Sequence, residues 1–169
     1  MRVLVAYGSK MGGTAGLAEM VGDALRCHGI EAVVQPAGEV DSVAGFDAVV
    51  IGGALYAGRW HRDARRFAAR HAEALRDLDV WVFSSGPLDG SATEKDIPPT
   101  RGTRKVMDQI DARGHVTFGG RLDPEHAVGW IARSMAKKLS GDWRDADHVD
   151  TWVAAIVEEV KRPEPAKDR

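Results

Sequence analysis

The chain of 169 residues is poor in several things, and each shortage excludes something. There is one cysteine, Cys27, so no intrachain disulfide and no multi-cysteine metal site can form. The six histidines show no His-Glu-x-x-His spacing, which removes the usual zinc-hydrolase pattern, and no metal is expected. Neither charge sign dominates: 23 Lys and Arg stand against 25 Asp and Glu, and a net charge of -2 gives no global footprint for nucleic acid. No apolar run approaches the ~20 residues that span a bilayer. The opening run Val3-Leu4-Val5-Ala6 is too short for a secretory signal core, so a cytoplasmic protein is expected. Gly-x-Gly-x-x-Gly is missing after the first apolar run, and no Gly-Lys-Ser/Thr follows it, which argues against dinucleotide and nucleoside-triphosphate cradles. Ser84-Ser85 lacks the nucleophile-elbow pattern of a hydrolase.

What is present is an alternation of two periods. Short apolar runs at Arg2–Tyr7, Ile30–Val34, Asp47–Ile51, Val80–Ser85 and His115–Phe118 read as buried strands. Between them lie stretches with helical spacing. The first starts at Thr14, carries Leu17, Val21 and Leu25, and stops near Gly29. The second spans His61 to Leu78 as one long helix, with a stripe of Ala64, Phe67, Ala68, His71, Ala74, Leu75 and Leu78. The third spans Thr100 to Arg113, with Val106 and Ile110 inward and Gly114 as its end. A further helix is predicted from Asp123 to Leu139, opened by Asp123-Pro124-Glu125, and a last one is capped by Asp150. Ala37 to Gly45 reads as loop or a short turn, and Leu88 to Pro99 as loop. Strands alternating with helices imply a parallel sheet covered on both faces, in one α/β domain over residues 1–161 with a disordered tail over 162–169.

In such a sheet, ligands sit beyond the carboxyl ends of the strands. Three loops qualify: Gly8 to Gly13, Gly52 to Trp60, and Ser84 to Asp89. The first, Gly8-Ser9-Lys10-Met11-Gly12-Gly13-Thr14, sets two hydroxyls around small residues at a helix start. Backbone N–H groups and the positive pole of the helix there suit one phosphate monoester.

Residues Tyr7, Ser9, Gly12, Thr14, Ala18 and Val21 together resemble the flavodoxin signature, from which Ala6 departs only by being small. The resemblance implies a three-layer, doubly wound α/β sheet of five parallel strands in the order 2-1-3-4-5, with the Asp123 helix as an addition before the last helix. It also implies FMN, with its phosphate on Ser9, Lys10, Met11, Gly12, Gly13 and Thr14. Ala54, Leu55, Tyr56, Ala57 and Gly58 of the second loop, and Ser85, Gly86, Pro87, Leu88 and Asp89 of the third, would then line the flavin ring. A flat ring needs apolar or aromatic walls, supplied by Leu55, Tyr56 and Leu88, and close backbone, permitted by Gly52, Gly53, Gly58 and Gly86. Trp60 is expected to pack instead.

A narrower resemblance links Ile51 to His61, Phe83 to Leu88 and the Asp123 helix to the flavodoxin-like protoporphyrinogen dehydrogenases that use menaquinone. It implies an FMN-dependent oxidoreductase that oxidises an anionic substrate and passes electrons to a quinone or another acceptor. The alternative is a flavodoxin-type electron-transfer protein. Arg59, His61, Arg62, Arg65 and Arg66 form a basic cluster at a helix start, where cations oppose the dipole. Arg59 and Arg62 are the candidate guides for an anionic substrate, and Arg101, Arg104 and Lys105 extend the patch. The late helix, flanked by Trp130, Lys137, Lys138 and Trp143, suits a membrane-surface or quinone-side contact, a cover for the sheet edge, or a homodimer face.

Overall fold

A computed structural model of the chain describes residues 1–9, 12–86, 90–122, 141–142 and 144–162. Five parallel strands form the centre: β1 (Arg2–Gly8), β2 (Glu31–Pro36), β3 (Ala48–Tyr56), β5 (Asp79–Ser85) and β6 (Gly114–Phe118). Their order is β2-β1-β3-β5-β6. With the short strand β4 (Arg59–Trp60) set aside, this is the expected 2-1-3-4-5. β4 pairs antiparallel with β3, and a two-stranded ribbon, β7 (Arg121–Leu122) with β8 (Gly141–Asp142), stands apart from the sheet. The central strands are apolar on both faces because both are covered: Val3 and Val5 face one layer, Leu4 and Ala6 the other.

The first layer is α1 (Gly13–Cys27) and α6 (Ala146–Lys161). Leu17, Val21 and Leu25 of α1 meet Val153, Ile156 and Val157 of α6 over Phe83 and Phe118, and Trp152 stands edge-on to both rings. The second layer holds α2 (Arg62–Arg70), α3 (Ala72–Arg76) and α5 (Arg101–Ile110), packed through Ala64, Phe67, Leu75, Val106 and Ile110.

Several expectations need correction. The long helix over 61–78 is two helices, broken at His71, whose φ of -107° and ψ of 14° leave the α-helical range. The break resets the stripe: Ala74 is exposed, and Ala72 packs on the core in its place. The strand predicted to stop at Ile51 runs on through Gly52 and Gly53 to Tyr56. The span Leu88 to Pro99 contains a short helix, α4 (Ser91–Glu94). Helix α5 ends on Asp111, left-handed at φ 52°, so Gly114 opens β6 and does not close the helix. The last helix is capped by Asp145, which accepts from the His148 N–H at 3.0 Å, five residues before the predicted cap Asp150. The predicted helix from Asp123 to Leu139, with Trp130, Lys137 and Lys138, lies outside the described residues, as do Trp143 and residues 163–169.

Candidate functional site

Strand register brings the three candidate loops to one edge. Gly8 of β1 is level with Gly53 of β3, Gly53 with Ser84 of β5, Ala54 with Ser85, and Ser85 with Phe118 of β6. Every chain that leaves this edge therefore starts from the same height. The sheet order also reverses here, since β1 leads through α1 to β2 on one side and lies against β3 on the other. That is the switch point at which open α/β sheets bind their ligands.

The loop after β1 closes on itself: the Gly12 N–H donates to Ser9 Oγ at 3.1 Å. Gly12 then takes φ 80°, a left-handed conformation that costs other residues about 1–2 kcal/mol, and starts α1. Thr14 is buried in the first turn. The N-terminus of α1 has neither a side-chain cap nor an acid in its first turn. The other described helices differ: His61 caps α2, Thr100 caps α5 and Asp145 caps α6, while Glu73 and Glu94 sit in the first turns of α3 and α4. Uncapped N–H groups and a small-residue loop are the donor set that a phosphate dianion requires. Lys10 and Met11 lie outside the described residues. Tyr7, half-buried below the loop, has its hydroxyl pKa raised by burial first and by Glu19 and Glu39 next, so it stays protonated.

The second loop is a tight hairpin. Leu55 pairs with Trp60 and Tyr56 with Arg59, leaving Ala57 (φ 49°) and Gly58 (φ 74°) as the two turn residues. Positive φ at both is the mark of a type I′ turn, which matches the twist of the strands it joins. The hairpin holds Tyr56 at 47% exposure, and Tyr56 and Met1 are the large exposed apolar residues among those described. Leu55 leans toward the third loop: a Cβ at Gly86 would meet its Cδ1 at 3.6 Å. Gly86 is fixed by its own N–H, which donates to Phe118 O at 3.0 Å. The second and third loops thus converge at Leu55 and Gly86, while Pro87, Leu88 and Asp89 lie outside the described residues.

Two of the glycines expected at the ligand serve the core. The space beside Gly52 is filled by the Phe83 ring, and that beside Gly53 by the Trp60 indole. Trp60 is 1% exposed and donates Nε1–H to Phe83 O at 3.3 Å, as its packing role requires. Gly8 faces the start of α2, where a Cβ would lie 2.7 Å from His61 Nδ1 and 2.9 Å from the Ala64 nitrogen. No sequence pattern marks His61 for this place. Its Nδ1 accepts from the Asp63 N–H at 3.1 Å and so caps α2, whose start lies against the end of β1.

The basic cluster divides. Arg65 donates Nε–H to Trp60 O at 3.1 Å and so serves the hairpin. Arg59, Arg62 and Arg66 are exposed, and among the described residues Arg62 has a carboxylate near it, Asp63 at 3.8 Å. Arg101, Arg104 and Lys105 are exposed on α5, which packs on both α2 and β4. The two groups share one face of the molecule.

Ser84 Oγ lies 3.0 Å from His115 Nε2 on the same face of the sheet. Ser84 is fully buried and His115 has its pKa lowered to about 4, first by burial, then by Arg104 against the opposing pull of Asp96. The pair is a neutral structural contact. Groups of His, Cys, Asp and Glu able to hold a metal are absent among the described residues. A cavity of about 380 Å³ lies beside β6, lined by Ala92, Glu94, Asp96, Thr117 and His148 among others, away from the β1 loop. No described helix is long and apolar enough to cross a membrane.

The sheet, its switch point and the uncapped helix start define a doubly wound α/β protein with free helix N–H groups at its loop edge. The comparisons narrow this class. Residues 4–150 match the flavodoxin domain family, and the chain belongs to it. Its cofactor is FMN, and the donor set at Ser9, Gly12, Gly13 and Thr14 fits the phosphate of that group. A mutant flavodoxin from Pseudomonas aeruginosa is 14% identical, with a TM-score of 0.60 over 96% of this chain and 100% of that one. A flavodoxin from Streptococcus pneumoniae TIGR4 is 16% identical, with a TM-score of 0.61 over 94% of this chain and 99% of that one. A mutant flavo di-iron protein from Thermotoga maritima is 14% identical, with a TM-score of 0.63 over 95% of this chain. This chain spans only 36% of that larger protein. No curated protein matches the chain.

Proposed function

We propose that the protein is an FMN-dependent redox protein that transfers electrons at the edge where its three loops meet. In this reading Ser9, Gly12, Gly13 and Thr14, with Lys10 and Met11 in the same loop, hold the phosphate. Ala54 to Gly58 and Ser85 to Asp89 flank the ring. FMN supplies one- and two-electron chemistry, and the protein supplies position and field. The observation that carries the reading is the joint placement of an uncapped α1 start and the converging Leu55 and Gly86 loops at one sheet edge. The exposure of Tyr56 supports a ring wall open to a partner, which favours electron transfer over chemistry in a closed pocket. Photoreduced, FMN-loaded protein is expected to reduce cytochrome c in stoichiometric amounts. Loaded protein that keeps its electrons under these conditions contradicts the carrier reading.

The exposed cations favour a second reading, a dehydrogenase of the protoporphyrinogen type. Here Arg59 and Arg62 guide an anionic substrate to the flavin and a quinone takes the electrons. The test is protoporphyrinogen turnover with and without a menaquinone analogue. In this reading R59E/R62E raises KM several-fold and flattens its dependence on salt, because the steering charges are exposed and screened. Absence of turnover, or a variant with unchanged KM and salt dependence, removes the substrate role of these arginines.

A further inference from the structure

The ribbon of β7 and β8 is extra to the alternating scheme, and it lies against α1. Directly after it, Arg144 is clamped by Asp142: its backbone N–H and Nε–H donate to Asp142 Oδ1 at 3.1 and 2.9 Å, and Nη2 donates to Oδ2 at 2.6 Å. The clamp fixes the guanidinium plane and occupies one side of it. The remaining nitrogen, Nη1, lies in the space beside Gly16 where a side chain would otherwise be. Side chains of a helix lean toward its N-terminus, so the space beside Gly16 covers the first turn of α1. Gly16 is the residue that closes that turn, donating to Gly12 O at 3.2 Å. The Arg144 side chain is 16% exposed, against 44% for that of Asp142, which holds it. A half-buried cation thus lies over the first turn of α1, against the positive pole of a helix that offers no acid there. An anion in the Ser9 to Thr14 cradle turns that repulsion into attraction.

We propose that Arg144, positioned by Asp142 and admitted by Gly16, is a phosphate-binding residue of the flavin site, which selects FMN over flavins that lack a phosphate. The inference rests on the FMN reading above, and one experiment separates the two. Apoprotein is titrated with FMN and with riboflavin, each followed by quenching of flavin fluorescence. Wild type binds FMN more tightly than riboflavin. R144Q is expected to weaken FMN about tenfold and to leave riboflavin unchanged. G16A keeps the arginine but fills its space, and is expected to give the same selective loss. Alanine is the better helix former, so G16A should melt no lower than wild type, which separates displacement of Arg144 from unfolding. If R144Q binds FMN as wild type does, or loses both flavins equally, Arg144 is not a phosphate ligand although the flavin site stands. If wild type binds neither flavin, the FMN reading itself falls and takes the inference with it.

Discussion

Single residues at this edge divide between those that open onto it and those that build it. Gly52 and Gly53 look like ligand glycines in the sequence, because they follow a strand at the correct height. Their use is decided by their partners, Phe83 for Gly52 and Trp60 for Gly53, which no local pattern announces. Gly12 was legible, since a Gly between Ser9 and Thr14 at a helix start has few other uses. His115 carries the clearest pH signature. Its pKa falls from 6.5 to about 4 on folding, mainly through burial beside Ser84. The unfolded chain therefore binds the proton in a window where the folded chain refuses it. Stability should be full above about pH 6.5 and decline as pH falls toward 4, by on the order of 1–2 kcal/mol once the ring's partial exposure is allowed for. Urea unfolding between pH 7 and 4 reads this directly. H115Q should show a shallower decline over the same window, and an unchanged slope would mean that other groups cause it.

Elements were legible where one period ran uninterrupted. The five parallel strands and α1 follow from apolar runs and helical spacing alone. The errors fall where tertiary contacts override a continuous pattern. The spacing over 61–78 suits one helix, but α2 and α3 pack separately on the sheet, and the chain bends at His71, whose ring lies 4.9 Å from Phe67. The β3–β4 hairpin was hidden because Ala57-Gly58 is a weak turn pair. Asn-Gly is the stronger signal, since Asn tolerates positive φ better than Ala. The hairpin therefore stores removable strain. A57N is expected to stabilise the protein by about 0.5–1 kcal/mol. Paired thermal and urea melts test it, and a loss of stability would show that Ala57 is not held at φ 49° in solution. The Asp142–Arg144 clamp was hidden for a different reason: its partner, Gly16, is far away in the sequence and has no side chain to suggest contact.

At the scale of the whole molecule, the fold gathers distant segments at one edge of the sheet. The near-balance of total charge conceals an uneven distribution. Arg59, Arg62, Arg66, Arg101, Arg104 and Lys105 stand exposed on the side of α2 and α5, next to the hairpin that bears Tyr56. In the dehydrogenase reading proposed above, such a face steers anions toward the loop edge and loses its effect as salt rises. The cofactor follows from the family and does not depend on this face. In the function proposed above, the Ser9 to Thr14 loop and the Leu55 and Gly86 loops together hold FMN. Fluorescence titration of FMN with purified apoprotein tests it most directly. One FMN per chain, quenched on binding and released by T14V with the fold intact, is the result expected. FMN fluorescence that stays unquenched at high protein excess, with a folded chain, would contradict the claim.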